Sequence, residues 1–127
     1  QADNRRRWSY HGMRMFRDQQ TIKPAVGNDP SAHRLERLVI HNWIIHSSVM
    51  MDRAVFTAEG GYDDHLKPSE DWDMWIRLAK RLGPDAGVGL PQVLGAYRIH
   101  ANNISGQSRR MTIADRRCLR KTWCTGG

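Results

Sequence analysis

Three carboxylates fall within four residues, Glu70-Asp71-Trp72-Asp73, and a cation and an imidazole fall two apart at Arg98 and His100. Ionised carboxylates accept protons and hydrogen bonds, whereas Arg beside His suits an anion or a metal-bound phosphate. Neither pattern specifies a reaction alone. What each can do depends on the backbone that carries it.

The acidic cluster opens a predicted helix. Ser69 can take the N-cap position, accepting a bond from a free backbone N–H, and Pro68 discourages an earlier start, so the helix begins at Glu70 or Asp71. Trp72, Trp75, Ile76, Ala79 and Leu82 follow at the spacing that keeps one face on a core, and Gly83-Pro84 ends it. The acidic end then lies at the edge of whatever the helix packs on. Carboxylates there are stabilised by the helix dipole by ~0.3–1 kcal/mol each, a structural reason for the cluster that involves no chemistry. Asp73 and Arg77, four apart, can pair across one turn as a solvated-face feature. Arg98 and His100 sit on the second of two predicted short strands, 87–90 and 93–100, separated at Pro91. Strand alternation points Tyr97 and Ile99 one way and Arg98 with His100 the other, ahead of a polar loop over 101–106.

The remaining segments read less sharply. Residues 1–31 mix Arg with Trp8, Tyr10, Met13, Met15 and Phe16, giving at most a short edge strand or irregular arm before the loop signals Pro24, Gly27, Asn28, Asp29 and Pro30. A helix from Ser31 to about Asn42 follows from Leu35, Leu38 and Val39, and 44–51 reads as a buried strand or turn-strand segment. Asp52 caps a short helix that Gly60-Gly61 terminates, and Tyr62-Asp63-Asp64-His65 is a polar loop. Residues 107–127 continue as a basic helix through Ile113, Cys118 and Leu119 to a frayed 125–127. The organisation is thus an arm (1–31), a central part (32–106) and a basic tail (107–127), together one α/β unit.

A chain of 127 residues suits one domain, and no run approaches the ~20 apolar residues of a membrane span. No secretory signal is apparent, and a start at Gln1 suggests a piece of something longer. The net charge of +7 is confined to the ends: +3 over 1–20 (five cations, two carboxylates), −1 over 21–106 (nine and ten) and +5 over 107–127 (six and one). Such Arg-rich ends suit phosphates or an anionic lipid surface, or are simply solvated. Cys118 and Cys124, six apart, form neither a Cys-x-x-Cys pair nor half of a zinc site, and the six histidines make no metal-binding helix motif. The simplest expectation is a reduced, cytoplasmic protein.

The order of motifs is more specific than any one of them. Asn42-x-Ile44-x-His46-Ser47-Ser48-Val49-Met50-Met51, Gly60-Gly61-Tyr62-Asp63, Glu70-Asp71-Trp72-Asp73-x-Trp75-x-Arg77-Leu78 and Leu90-Pro91-x-Val93-Leu94-x-x-Tyr97-Arg98-Ile99-His100-x-x-x-Ile104-Ser105 together resemble the acceptor half of family 2 glycosyltransferases. The resemblance covers residues 35–106, a little over half of the chain. It implies part of a nucleotide-diphosphosugar transferase (GT-A) fold and an inverting transfer of sugar from a nucleotide diphosphate donor to an acceptor hydroxyl, saccharide or lipid-linked. It assigns Asp71 as general base with Glu70 orienting it or holding the acceptor, and Arg98 and His100 to the donor diphosphate and its divalent cation (Mg or Mn). His46, Ser47 and Ser48 go to the acceptor side, and Trp72 either stacks on a sugar there or serves the core. The family's first half, with its nucleotide-binding strands and metal-holding Asp-x-Asp, has no counterpart here. Asp71-Trp72-Asp73 only spells that motif, because residues two apart on a helix face different directions. The alternative expectation is a small basic binding module using its Arg-rich ends on nucleic acid or an anionic membrane surface.

Overall fold

The computed structural model describes residues 5–103 and 108–124; Ile104, Ser105 and the 125–127 end lie outside the described residues. A four-stranded mixed sheet, comprising β1 (Trp8–Arg17), β2 (Gln20–Val26), β3 (Met50–Met51) and β4 (Gly87–Arg98), is organised around β1, which bonds to all three others. β4 runs parallel to it, from Trp8 against Gly87 to Phe16 against Arg98. β2 pairs antiparallel with its second half and β3 with its start.

Residues 8–17 are therefore not an irregular arm but the hub of the sheet. Their strand character is masked by three local features. The hairpin turns at Asp18-Gln19, both with left-handed backbone (φ 47 and 67), where Asn-Gly or Asp-Gly is the usual signal. Register shifts at Met13, Met15 and Phe16 break the alternation of β1 against β2. Pro24 lies within β2, which bonds on one side only and so tolerates a missing N–H. Pro91 likewise does not divide β4. Leu90 pairs with His11 and Val93 with Gly12, so Pro91 and Gln92 bulge out of one continuous strand.

Four helices flank the sheet: α1 (Leu35–Leu38), α2 (Arg53–Ala58), α3 (Glu70–Leu82) and α4 (Ser108–Cys124). α1 is one turn, shorter than its apolar spacing predicts, and 44–51 becomes a 3-10 turn at His46–Ser48 leading into β3. α2 is capped as expected, with Asp52 Oδ1 accepting from the Ala54 N–H at 2.8 Å, and ends at Gly60 and Gly61 with φ of 78 and 74. α3 seats Trp75 on β1, the indole stacking on Trp8 at 5.4 Å and 10°. Trp72, Ile76 and Ala79 are buried with it. A second side of α3 is covered by α4, where Lys80 Nζ donates to Thr122 O at 2.7 Å and Lys121 Nζ lies 3.0 Å from Asp73. Among the described residues no helix is long and apolar enough to cross a membrane.

Close approach of β1 and β4 depends on glycine. Tyr10 is fully buried and donates its hydroxyl to Asp29 O at 2.7 Å, and burial pushes its pKa up to about 12, so it remains a neutral donor. A Cβ on Gly89 would lie 2.5 Å from that hydroxyl and 2.6 Å from Pro30 Cα. Gly89→Ala is therefore expected to cost about 2 kcal/mol, seen as a lower urea midpoint. An unchanged midpoint would show that the strands can part to admit a methyl group.

Candidate active site

The N-terminus of α3 forms one wall of a cleft of about 590 Å³. Segment 41–47 forms another wall, Tyr97 of β4 and Met15 of β1 contribute from the sheet, and Met111 and Asp115 close it from α4. Glu70 and Asp71 both line it.

Asp71 is held at both oxygens. The Trp72 N–H donates to Oδ1 at 2.7 Å and Asn42 Nδ2 to Oδ2 at 3.3 Å, while Asn42 Oδ1 accepts the Ile44 N–H at 3.3 Å and so fixes the amide. Burial nevertheless raises the Asp71 pKa above the usual carboxylate value. His46, the Trp72 N–H and Asn42 pull it down, and Glu70 pushes it up. Desolvation thus outweighs the charge and hydrogen-bond stabilisation expected at a helix start. Glu70 leaves Oε2 buried without a hydrogen-bond partner.

Ser69 occupies the N-cap position but does not cap with its side chain; its hydroxyl donates to Asp115 Oδ1 at 2.6 Å, tying α3 to α4 instead. The first turn of α3 is thereby anchored by a residue 46 positions away. Asp115→Ala is expected to lower stability by about 1–2 kcal/mol, because the buried Ser69 hydroxyl loses its charged acceptor. Thermal denaturation checks this, and an unchanged Tm would mean that water replaces the carboxylate.

The predicted acceptor residues divide. His46 and Ser47 line the cleft, and His46 Nε2 shares a 2.9 Å hydrogen bond with the Tyr62 hydroxyl. His46 also separates the cleft from a second hollow of about 400 Å³ that includes Arg53, Phe56 and Tyr62. Ser48 does not reach the cleft: it is buried, and its hydroxyl donates to Ile45 O at 2.6 Å within the 3-10 turn. Trp72 also lines the cleft, although it is only 4% exposed and its indole N–H donates to Leu38 O at 2.7 Å, so most of the ring is packed in the core.

Arg98 and His100 are exposed at the end of β4 and are not among the residues lining the cleft. Tyr97 lines it instead, with Asn103 Nδ2 donating to its hydroxyl at 3.3 Å. The alternation that groups Arg98 with His100 sends Tyr97 to the opposite face, and that face is the one the cleft opens on. Asn42 opens the first motif and Tyr97 stands in the last, yet neither is assigned to the site from the sequence; Met111 and Asp115 are cleft residues that no motif or spacing marks.

His100 Nδ1 accepts the Asn102 N–H at 3.2 Å, leaving one ring nitrogen for a ligand. Asp73 faces away from Asp71 and is 3% exposed, bonded to Arg77 and Lys121. No three side chains of metal-binding type gather among the described residues. No family model matches the chain, and no curated protein or solved structure matches it either.

Proposed function

We propose that the chain is the acceptor-side, catalytic-base part of an inverting, family 2-like glycosyltransferase of GT-A type. The observation that carries this reading is the Asp71 carboxylate, fixed by Asn42 and the Trp72 N–H at the wall of a cleft of sugar-sized volume. The motif order adds to it.

In the proposed reaction an acceptor hydroxyl lies in the cleft against Asp71. Its oxygen bonds to the anomeric carbon as the bond from that carbon to the nucleotide diphosphate breaks. The electron pair leaves with the diphosphate, and the hydroxyl proton passes to Asp71. A carboxylate whose pKa is raised by burial takes that proton with more driving force than an exposed one. Glu70 stands beside it with a free buried oxygen able to accept a second acceptor hydroxyl. His46 and Ser47 complete the acceptor wall. Arg98 and His100, on the outer side of the same strand end, are proposed for the departing diphosphate. Any divalent cation would be held chiefly by groups beyond those described, in the nucleotide-binding half that the reading requires. Among the described residues β4 bonds only to β1, which leaves an edge for further strands.

The DNA upstream of the Gln1 codon tests this reading. An open frame of on the order of 100 residues, a half-domain in size, with alternating strands and helices and an Asp-x-Asp, is the expected result. A start codon directly before Gln1 would contradict it.

A further inference from the structure

α4 carries two faces of different character. Towards the protein it buries Ala114, Cys118 and Thr122, spaced four apart, and directs Met111 and Asp115 into the cleft. Away from the protein, Arg109, Ile113, Arg116, Arg117, Arg120 and Trp123 recur at three- and four-residue intervals and are exposed, so they form one strip. The strip holds no carboxylate, and among the described residues its arginines make no ion pair, in contrast to Lys121 on the inner side, which meets Asp63 and Asp73. Trp123 is 71% exposed and Ile113 45% exposed, both unpacked on a helix whose inner face is fully used.

We infer that the outer face of α4 docks the protein on an anionic lipid surface. Charge complementarity points to a negative partner, since among the described residues Arg109, Arg116, Arg117 and Arg120 make no ion pair. The apolar members choose the bilayer over nucleic acid. An isoleucine set among arginines gains nothing from phosphates or base edges, whereas at a lipid interface it enters the acyl boundary while the guanidinium groups stay with the headgroups. A tryptophan at one end of the strip is the side chain that settles at that depth. This docking face stands on α4 and does not depend on the transferase reading. Where both hold, Met111 and Asp115 on the reverse of the same helix put the cleft next to the bilayer, within reach of an acceptor anchored in lipid.

The 127-residue chain is sedimented with vesicles of phosphatidylcholine alone and with vesicles of phosphatidylcholine and phosphatidylglycerol in equal parts, and separately titrated with a single-stranded oligonucleotide. Binding to the anionic vesicles only, weakened by added salt, is expected. Neutralising Arg116, Arg117 and Arg120 together by substitution to Gln should weaken it about a hundredfold. Trp123→Ala should weaken it several-fold and abolish the blue shift of tryptophan emission that accompanies binding. All four side chains are exposed, so the variants should keep the parent Tm, which is measured alongside. Equal sedimentation with both vesicle types, none with either, or affinity for the oligonucleotide exceeding that for anionic vesicles would overturn the inference. So would anionic-vesicle binding that the triple variant and Trp123→Ala leave unchanged.

Discussion

Asp71→Asn is expected to slow sugar transfer about a thousandfold while raising the stability of the protein at neutral pH. The first effect follows from removing the proposed proton acceptor without altering the shape of the cleft. The second follows from the raised pKa. A carboxyl whose folded pKa lies above its unfolded value of about 3.9 costs nothing when both states are protonated. As pH rises from there through the folded pKa, the folded state gives up its proton less readily than the unfolded chain, so stability falls and stays lowered above that range. Asn carries no such penalty. It can still accept from the Trp72 N–H and gives up only the long 3.3 Å bond from Asn42. The Tm of the variant should therefore exceed that of the parent by a few degrees at neutral pH, the difference vanishing below about pH 4. Thermal melts across that range, run beside transfer assays, check both parts. A variant that loses activity and stability together would make Asp71 a structural residue.

Arg77→Met should cost far more stability than the sequence suggests. Asp73 and Arg77 form the pair expected from their four-residue spacing, but not on a solvated face: the Asp73 side chain is 4% exposed and that of Arg77 22%. The guanidinium donates to Asp73 Oδ2 at 2.8 Å, to Glu59 O at 2.6 Å and to Gly61 O at 2.8 Å, closing the loop that follows α2 onto α3. Met fills the space of the stem but supplies no donor. Two carbonyl groups lose their partner, and Asp73 is left with Lys121 alone. The expected loss is about 3 kcal/mol, the scale for breaking a buried pair from one side, and a fall in Tm of roughly 10 °C. The same loop presents Tyr62, which bonds His46 at the cleft, so acceptor affinity should weaken as well. A Tm within a degree or two of the parent would show that Lys121 and water can replace the arginine.

The contrast between Asp71 and Asp73 shows what the sequence made legible. The limits of α3, its apolar stripe and its acidic start are local features, written in Pro68, Ser69, Trp75 and Gly83-Pro84, and the helix runs from Glu70 to Leu82 in keeping with them, although the Ser69 hydroxyl bonds Asp115 instead of capping. The environment of each carboxylate is not local. Asn42, Tyr97 and Asp115 come to Asp71 from elements distant in the chain, and Lys121 comes to Asp73 from α4, a segment whose helicity was readable but whose seat was not. The same limit hid β1: a strand that pairs on both edges, with register shifts and an Asp-Gln turn, shows no clean alternation, although Trp8 and Tyr10 two apart were its trace. Ser48 matches its motif by type yet bonds within its own turn, and Trp72 lines the cleft with little of its surface, because a motif fixes residue identity and order but not which face the surrounding chain leaves open.

In the proposed reaction Asp71 takes the proton from an acceptor hydroxyl during sugar transfer. This step is tested most directly by supplying the full gene product with a panel of nucleotide diphosphosugars and saccharide or lipid-linked acceptors, and measuring nucleoside diphosphate release for the parent and for Asp71→Asn. Acceptor-dependent release from at least one donor, lowered about a thousandfold by the substitution in a protein of undiminished Tm, is the predicted result. Release by Asp71→Asn at the parental rate, or a parent protein that consumes none of the donors, would contradict it.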